Sequence, residues 1–421
     1  MNATAAEAQI RAEFAAWLAD AWDPELGLTE WRERLVASGW AVPSWPRKWF
    51  GRELPAVADR VVADEIRSAG AVGVPLGAGM SLAAPTLLTH GSERLNNLLL
   101  RPTLTGEFTW CQLFSEPGAG SDLAGLSATA VLDGDEWVVN GQKVWNTSAH
   151  HADFGLLVAR TDWTVPKHQG ISYFILPMKQ RGVEVRPIRQ MNEHTSFNEV
   201  FLTDARIPIT NLVGTLGGGW RVARTTLAYE RGFATMRRPK FARTGVVAGR
   251  TLREAEAEAE EHFRTYVWYP QRAGRIDLVA DRARQLGVSD DPIVRQAIAA
   301  LVSYARSHEW TARRATAARA LGRPAGPEGS LGKLAASEVA RRAAEVHALI
   351  AGAGAMLHDA GRPNDATITE VLLSTVAQSI AGGTDEIQKN IIGEKILGLP
   401  REPSIDTDMS FSTVSRAEAA S

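Results

Sequence analysis

The sequence predicts an α+β protein in which a central β domain separates an N-terminal helical domain from a C-terminal helical bundle. Apolar side chains recur at helical spacing in residues 1–108 and 214–403. Residues 109–213 instead contain short alternating segments separated by turn residues. Residues 404–421 are polar and rich in Ser, Thr and Asp, so we expect a mobile tail.

The N-terminal domain is expected to begin with an amphipathic helix over residues 5–19, where apolar side chains recur every three or four positions. The same period returns over residues 57–66. A third apolar helix is predicted near residues 81–90. Prolines separate the first two of these segments, as expected for a connecting loop.

Two turn signals, Asp133-Gly134 and Asn140-Gly141, bracket an alternating segment and predict hairpins. Further strands are predicted over residues 154–160, 171–177, 183–187 and 199–202. Closely spaced strands of this kind are typical of an antiparallel meander. We expect the meander to close into a small β-barrel.

In the C-terminal part, residues 331–350 carry an apolar helical stripe that Ser330 could cap. The charge run of residues 253–261 is interpreted as a solvated helix face. The aromatic residues 266–269 are expected in the core or at a subunit interface rather than at a ligand site.

Composition restricts the function classes. The 421-residue chain has a formal net charge of −2, which gives no reason to expect nucleic acid or an anionic membrane as partner. No apolar run reaches the length of a membrane span, and the start does not resemble a signal peptide. Cys111 is the single cysteine and is expected to be a small buried hydrophobe. These observations predict a soluble cytoplasmic protein.

The segment from residue 110 to residue 161 carries the most chemistry. Residues 116–122, here called the glycine-rich loop, read EPGAGSD, and their backbone can approach a ligand closely. Ser121 adds a hydroxyl that can bond a phosphate. Trp145 and Thr147 alternate along a predicted strand, so both are expected on one face. An indole plane beside a hydroxyl suits a flat, hydrogen-bonding ring system such as a flavin.

Residues 110–161 resemble the flavin-binding signature of the acyl-CoA dehydrogenases. A second stretch, SIAGGTDEIQKNIIGEKILGLP at residues 379–400, resembles another signature of the same family. The resemblance extends from about residue 30 to residue 403. It implies N-terminal helices, a central β-barrel, a C-terminal helical bundle and bound FAD.

The resemblance implies specific contacts for the flavin. Ser115 would bond the pyrimidine side of the ring, while Gly120 and Ser121 belong to the loop that receives the pyrophosphate. Trp145 would pack against the ring, and Thr147 would reach the redox-active nitrogen. Such donors tune the flavin and orient its reactive nitrogen toward the substrate.

Other implied cofactor contacts come from the helical part. Thr384 and Glu386 align with residues that contact FAD from that side. Arg284 and Gln296 are candidates for contacts with the FAD of a neighbouring subunit, although the usual Arg-x-x-Phe-Gly motif of this region is missing. Residues 351–354 replace the Gly-Gly-Asn-Gly loop of the same neighbour-facing site.

The dehydrogenase reaction needs a carboxylate to remove the α proton of an acyl thioester. Many family members place this Glu where the present chain has Gly382, which cannot act as the base. The family's second arrangement puts it on an earlier helix, and Glu230 occupies that position. The backbone N–H of Gly382 could still bond the thioester oxygen, and Arg231 would lie near the acyl-CoA. The alternative for Glu230 is a surface glutamate paired with a neighbouring arginine.

The resulting prediction is an FAD-dependent acyl-CoA dehydrogenase that forms a 2,3-enoyl-CoA. The resemblance to the actinobacterial members implies bulky substrates, including steroid side chains. The implied partners are an electron-transferring flavoprotein and further subunits, as a homodimer, homotetramer or heterotetramer. A flavin-dependent monooxygenase of the same fold and a non-catalytic partner subunit are the alternatives. The histidines, including the solvated-looking pair His150-His151, show no metal-ligand spacing, so no metal is predicted.

Overall fold

The computed structural model describes residues 3–232, 249–264, 269–320, 328–357, 365–401, 403 and 408–413. The chain divides into two compact units. The first unit consists of Met1–Ile188, Thr195–Thr265 and Ile405–Ser421, and the second consists of Arg189–His194 and Tyr266–Ser404.

The first unit begins with helices, as predicted. Their bounds are α1 Ala3–Ala21, α2 Leu28–Ala37, α3 Val57–Ser68, α4 Ala84–His90 and α5 Glu93–Thr105. A π-helical turn, Gly79–Ala83, leads into α4 and accounts for the start of the third predicted helix. Phe14, Trp31 and Trp40 are buried between these helices, and the Phe14 and Trp40 rings lie 5.2 Å apart at a tilt of 60°.

The strands follow in chain order. They are β1 Trp110–Leu113, β2 Thr129–Asp133, β3 Glu136–Thr147, β4 Phe154–Arg160, β5 Ile171–Pro177, β6 Val183–Ile188, β7 Phe197–Pro208 and β8 Leu212–Val213. They form one sheet in the order β6-β7-β3-β2-β4-β5-β8, with β1 also paired to β4. Most pairs are antiparallel, but β1 and β2 both run parallel to β4. The predicted closure into a barrel is not confirmed, since among the described residues the sheet is open between β6 and β8.

Only one of the two predicted hairpin turns is a turn. Gly134 has φ +66 and lies in the turn between β2 and β3. The prediction for Asn140-Gly141 was wrong, because both residues lie inside β3, at a bulge between Val139 and Gly141. Gly141 has φ +150, and a Cβ there would come within 2.5 Å of the Ala128 Cβ. The glycine therefore permits a close approach of two chain segments rather than a reversal of the chain.

Two more helices belong to the first unit: α6 Gly219–Gly232 and α7 Arg250–Phe263. The charge run on α7 is less solvated than predicted. Glu258 accepts two hydrogen bonds, of 2.8 and 2.6 Å, from the buried guanidinium of Arg32. Glu254 accepts one of 2.7 Å from the backbone N–H of Leu28, at the start of α2. The helix is thus fastened to α2 by its carboxylates.

The second unit contains the remaining helices. They are α8 Ile276–Gln285, α9 Pro292–Ala320, α10 Glu328–Ala351, α11 Asp365–Gln378 and α12 Asp385–Lys395. Val279, Leu301 and Ile350 are among the apolar side chains of its core. The prediction that Ser330 caps α10 was wrong: the helix already begins at Glu328, and the Ser330 side chain is buried within it.

Part of the predicted polar tail and one of the residues 266–269 lie among the described residues. Within the segment predicted as a polar tail, Phe411 is buried, which its large apolar ring explains. Of the aromatic residues 266–269, only Tyr269 lies among the described residues, where its ring faces the Arg272 guanidinium at 4.6 Å. In the described part of the chain, no helix is both long enough and apolar enough to cross a membrane.

Candidate active site

The glycine-rich loop is built on a buried carboxylate. Glu116 is 6% exposed, and its Oε2 accepts hydrogen bonds from the backbone N–H of Ser127 at 2.7 Å and from the Ser127 hydroxyl at 3.0 Å. Its Oε1 accepts from the backbone N–H of Ala128 at 3.0 Å and from Lys143 Nζ at 2.7 Å. Burial raises the pKa of Glu116, but Lys143 and the backbone N–H groups of Ser127 and Ala128 together outweigh it and hold the pKa below its ordinary value.

Lys143 connects this carboxylate to the strand that carries Trp145. It is fully buried on β3, and its Nζ also donates to the backbone oxygen of Phe114 at 3.0 Å. The ion pair therefore joins the glycine-rich loop to β3. Because a buried charge needs its partner, the loop conformation and the β3 backbone are coupled.

A second buried cation lies close to the same loop. Arg160, which is 1% exposed, donates to the backbone oxygens of Ala124 at 2.6 Å and Leu126 at 3.1 Å. Burial lowers its pKa to about 10, although the charge of Glu116 raises it, so the guanidinium stays protonated at neutral pH. Lys143, Arg160 and Glu116 together carry a net positive charge near the loop, which favours an anionic ligand there.

The loop itself presents backbone rather than side chains. A Cβ added at Gly118 or Gly120 would have nothing within 4 Å, so packing within the chain does not require glycine at either position. Ser121 is exposed, and Ser115 is half-buried with its backbone oxygen accepting from Val144 N at 2.9 Å. The open space over the two glycines fits the approach of a phosphate to the backbone.

Trp145 is held outward at a bulge in β3. Its φ of 63 is in the left-handed region, which a bulky residue rarely adopts, and its side chain is 57% exposed. The register shifts between Lys143 and Asn146, so regular alternation does not apply here. Exposure still alternates, with Trp145 exposed, Asn146 buried and Thr147 half-buried. A strained residue that exposes a flat apolar ring points to a ligand surface.

Hydrogen bonds of the buried Asn146 hold this bulge in place. Its Nδ2 donates to the backbone oxygen of Gln112 at 2.7 Å, and its own backbone oxygen accepts from Asn198 Nδ2 at 2.9 Å. The Asn146 Oδ1 atom is buried and accepts no hydrogen bond from the described residues. Such an atom is costly unless something else satisfies it. The Trp145 ring meets Phe197 edge-on at a centroid distance of 5.8 Å, which limits its rotation.

Glu230 lies in the last turn of α6 and is half-buried. The Nε2 of Gln112 donates a hydrogen bond of 3.2 Å to its Oε2. Gln112 is also the residue whose backbone oxygen receives Asn146. The predicted base is therefore linked through one β1 residue to the strand that carries Trp145. Arg231 follows in the same helical turn.

Hydroxyl groups hold α6 in place. Thr226, which is fully buried, lies 3.0 Å from the Thr86 hydroxyl and 3.1 Å from the Tyr173 hydroxyl. One residue earlier, Thr225 lies 2.9 Å from His90 Nε2. These contacts hold α6 against α4 and β5 and so fix the position of Glu230 on the helix relative to them.

The second unit contains the predicted turn of residues 382–386. Gly382 and Gly383 both have positive φ, at +70 and +89. Thr384 is the N-cap of α12, and its hydroxyl accepts from Ile387 N at 3.2 Å. The buried Gln388 donates to the backbone oxygens of both glycines, at 3.5 and 3.3 Å. The glycine oxygens are thus held by a neutral amide, and the helix start by the Thr384 cap and by the buried Asp385, whose Oδ1 lies 3.4 Å from Lys333 Nζ.

The remaining predicted residues show no built site. Glu386 is exposed in the first turn of α12, and Gln296 is exposed on α9. Arg284 is exposed on α8, where it pairs with Asp281. His150 and His151 meet edge-on, with His150 exposed and His151 half-buried. In the described ranges, no cluster of His, Cys, Asp and Glu could hold a metal ion.

The structure brings together part of the predicted set and adds residues that the sequence analysis missed. Ser115, Gly120, Ser121, Trp145, Thr147 and Glu230 belong to the first unit, and the other predicted residues to the second, apart from Arg231, which follows Glu230. The missed residues are Gln112, Glu116, Lys143, Asn146 and Gln388. The capping role of Thr384 could have been predicted, since a Thr before two acidic residues is typical of a helix start. Cys111 is fully buried, as predicted.

Comparison with known proteins agrees with this architecture. Models of the acyl-CoA dehydrogenase N-terminal, middle and C-terminal domains match residues 2–107, 111–205 and 273–397. The chain is 33% identical to Acyl-CoA dehydrogenase IpdE1 of Mycobacterium tuberculosis, over 94% of this chain and 98% of that protein. The chain therefore belongs to the acyl-CoA dehydrogenase family, and it is an oxidoreductase of that family.

Two solved structures are similar over nearly the whole chain. The ChsE4-ChsE5 complex from Mycobacterium tuberculosis gives a TM-score of 0.65 at 25% identity, covering 94% of this chain and 98% of that one. The Tcur3481-Tcur3483 steroid ACAD gives the same TM-score of 0.65 at 25% identity, again covering 94% and 98% of the two chains.

Proposed function

We propose that this protein is an FAD-dependent dehydrogenase that converts an acyl-CoA thioester to the 2,3-enoyl-CoA, with Glu230 as the base. The observation that carries the proposal is the hydrogen bond from Gln112 Nε2 to Glu230 Oε2, at 3.2 Å. It ties a carboxylate on α6 to the β1 residue that also supports the Trp145 bulge through Asn146.

Residues of the first unit fit FAD. The exposed Trp145 ring offers a stacking plane, and Thr147 lies two residues further along the same strand. The open backbone at Gly120 and the exposed Ser121 suit the pyrophosphate, with buried positive charge nearby. Ser115 would bond the pyrimidine side of the ring, as the resemblance implies. FAD held by these residues would supply the hydride acceptor for the β-carbon of the substrate.

Glu230 would take the α proton. The carbon–hydrogen bond breaks toward a carboxylate oxygen, which leaves the carboxyl group neutral while the β hydride departs. The Gln112 amide donates to Oε2 and so holds the carboxylate at this end of α6.

The other predicted roles are carried by the family resemblance. Thr384 and Glu386 are proposed to contact the cofactor, and the N–H of Gly382 to bond the thioester oxygen. Arg231 is proposed to lie near the acyl-CoA. For Arg284 and Gln296, contact with a neighbouring subunit's FAD remains a proposal without further support.

The description of one similar structure supports a proposal for the substrate class. One similar structure is called a steroid ACAD, and two are described as pairs of different subunits. We infer that this protein takes a bulky acyl-CoA, such as one with a steroid ring system, and assembles into a homo- or heteromeric oligomer. An electron-transferring flavoprotein is the proposed electron acceptor, and a cytoplasmic location remains the sequence-based expectation.

The test is anaerobic bleaching of the flavin absorbance. The purified yellow protein is mixed with short branched, long straight and steroid acyl-CoAs. We expect bleaching with the bulky class. Glu230→Gln should retain the flavin but lose bleaching, whereas Glu256→Gln, an exposed glutamate on α7, should behave as the parent protein.

Other outcomes would redirect the assignment. Normal bleaching by Glu230→Gln would refute this residue as the base. A yellow protein that no thioester bleaches, but that reoxidises rapidly with oxygen after chemical reduction, would favour the monooxygenase. A chain that binds no flavin alone, but does so with a related subunit, would favour the partner-subunit alternative.

A further inference from the structure

A short C-terminal segment, residues 408–413, packs on the first unit. The backbone N–H of Phe411 donates to Val165 O, and that of Ser412 to Trp163 O, both at 2.9 Å. Phe411 is 6% exposed, whereas Met409 beside it is 42% exposed. The segment lies beyond residue 397, where the match to the C-terminal family domain ends. Its docking is therefore an addition to the matched domains.

Phe411 covers a buried cation. The Arg160 guanidinium carbon lies 3.6 Å from the centre of the Phe411 ring and 5.5 Å from that of Trp163. The two rings are 5.2 Å apart at 40°. A cation that is shielded from water and faces an aromatic ring at this distance makes a strong cation–π contact.

The edge of the same guanidinium holds the exit of the glycine-rich loop, which we define as residues 123–126. Arg160 Nη2 donates to Ala124 O at 2.6 Å, and Nε to Leu126 O at 3.1 Å. The third nitrogen, Nη1, donates to Lys167 O at 3.0 Å. Lys167 in turn reaches Asp122, at the end of the loop, with an Nζ–Oδ2 distance of 2.9 Å.

We propose that Phe411 is a positioning residue for the glycine-rich loop, acting through Arg160. The ring fixes the guanidinium plane from one side, and the guanidinium then fixes the carbonyls of Ala124 and Leu126 at its edge. Without the ring, water could reach the cation and compete for its hydrogen bonds, which would loosen the loop exit. The consequence for flavin retention rests on the proposed function, whereas the ordering of the loop does not.

Hydrogen–deuterium exchange on the full-length protein without added flavin tests the ordering directly. We expect Phe411→Ala to speed amide exchange in peptides that cover residues 123–128 by about three- to tenfold. Phe411→Tyr keeps the ring and should restore slow exchange. Met409→Ala changes an exposed neighbour in the same segment and should leave these peptides unchanged.

A faster exchange confined to residues 163–166 and 408–413 would overturn the proposal, because the segment would then pack without ordering the loop. Phe411→Leu guards against a variant that fails to fold, since it keeps apolar volume but lacks the aromatic face. Parent-like exchange at residues 123–128 in Phe411→Leu would also overturn the proposed role of the ring.

Flavin release provides the second readout. If FAD binds at this loop, its dissociation rate should rise by about three- to tenfold in Phe411→Ala and stay at the parent value in Met409→Ala. A parent protein that binds no flavin would refute the proposed function, while the exchange experiment would still decide the role of Phe411. Equal flavin release from Phe411→Ala and the parent would refute the effect on retention.

Discussion

Two turns that the sequence analysis assigned to cofactor contact are built in opposite ways. The glycine-rich loop depends on the buried ion pair between Glu116 and Lys143, at 2.7 Å. The turn at Gly382 and Gly383 depends on the neutral side-chain amide of Gln388, at 3.3–3.5 Å from their oxygens. A buried ion pair is costly to break and sensitive to pH, whereas an amide is neither charged nor titratable. We therefore expect that loss of the ion pair lowers the free energy of unfolding more than loss of the Gln388 amide does.

The largest effect is expected from Lys143→Met. The substitution removes the cation and leaves the Glu116 carboxylate without its ion-pair partner, so the free energy of unfolding should fall by about 3–5 kcal/mol. Urea unfolding of the first unit, followed by tryptophan fluorescence, measures the loss. The control is Glu136→Gln on the same strand, whose distance to the exposed Arg206 is 3.9 Å. It should cost less than about 0.5 kcal/mol, and an equal loss in both variants would contradict the comparison.

The next effect is expected on acidification, which should destabilise the glycine-rich loop. Burial raises the pKa of Glu116, but Lys143 and the hydrogen bonds hold it below the ordinary value of 4.5. The carboxylate therefore contributes stability that is fully present above pH 4.5 and is lost as the pH falls through its lowered pKa. Relative to the intrinsic exchange rate, which falls on acidification, the amides of residues 116–128 should exchange faster, because their protection is lost with the ion pair. In Glu116→Gln this loss of protection should disappear.

A smaller effect is expected from Gln388→Ala. The variant removes two hydrogen bonds to the glycine oxygens and should lower the free energy of unfolding of the second unit by about 1–3 kcal/mol. Hydrogen exchange should show the change in residues 382–388. Lys389→Ala, which alters an exposed neighbour, is the matched control. A loss as large as that of Lys143→Met would show that charge is not what distinguishes the turns.

Thr384→Ala should have the smallest effect. It removes the side-chain cap of α12, worth about 1 kcal/mol, and leaves Ile387 N without its acceptor. Thr384→Ser keeps the hydroxyl and should retain most of that stability in thermal unfolding. If Thr384→Ala proves neutral for stability but weakens flavin binding, then the hydroxyl serves the cofactor rather than the helix.

The sequence predicted regular elements well where the signals are local. The strands Phe154–Arg160 and Ile171–Pro177 match the expected ranges, because β-branched and aromatic residues lie between clear turn segments. The turn predicted at Asn140-Gly141 was wrong because this glycine is needed for the close approach of Ala128, and that contact exists only after folding. The predicted closure into a barrel is not confirmed for a similar reason: a pattern of strands does not show whether the two edge strands of the sheet pair with each other.

The candidate site divides in the same way. Trp145 and Thr147 are neighbours in sequence, so their pattern was visible before folding. Gln112 and Glu230 are 118 positions apart, and no local signal connects them. Lys143 looks like an ordinary strand lysine, and only the structure shows that it is fully buried. The roles assigned through the family resemblance, including Glu230 as base, remain predictions.

The strained Trp145 also offers an optical reporter. Among the tryptophans that the structure describes, only Trp145 and Trp310 are largely exposed, at 57% and 63%. An indole in water emits at longer wavelength than one in a core, and a stacked flavin quenches it. The emission difference between the parent protein and Trp145→Phe would therefore follow occupation of the first unit in real time, without a substrate or a colour change.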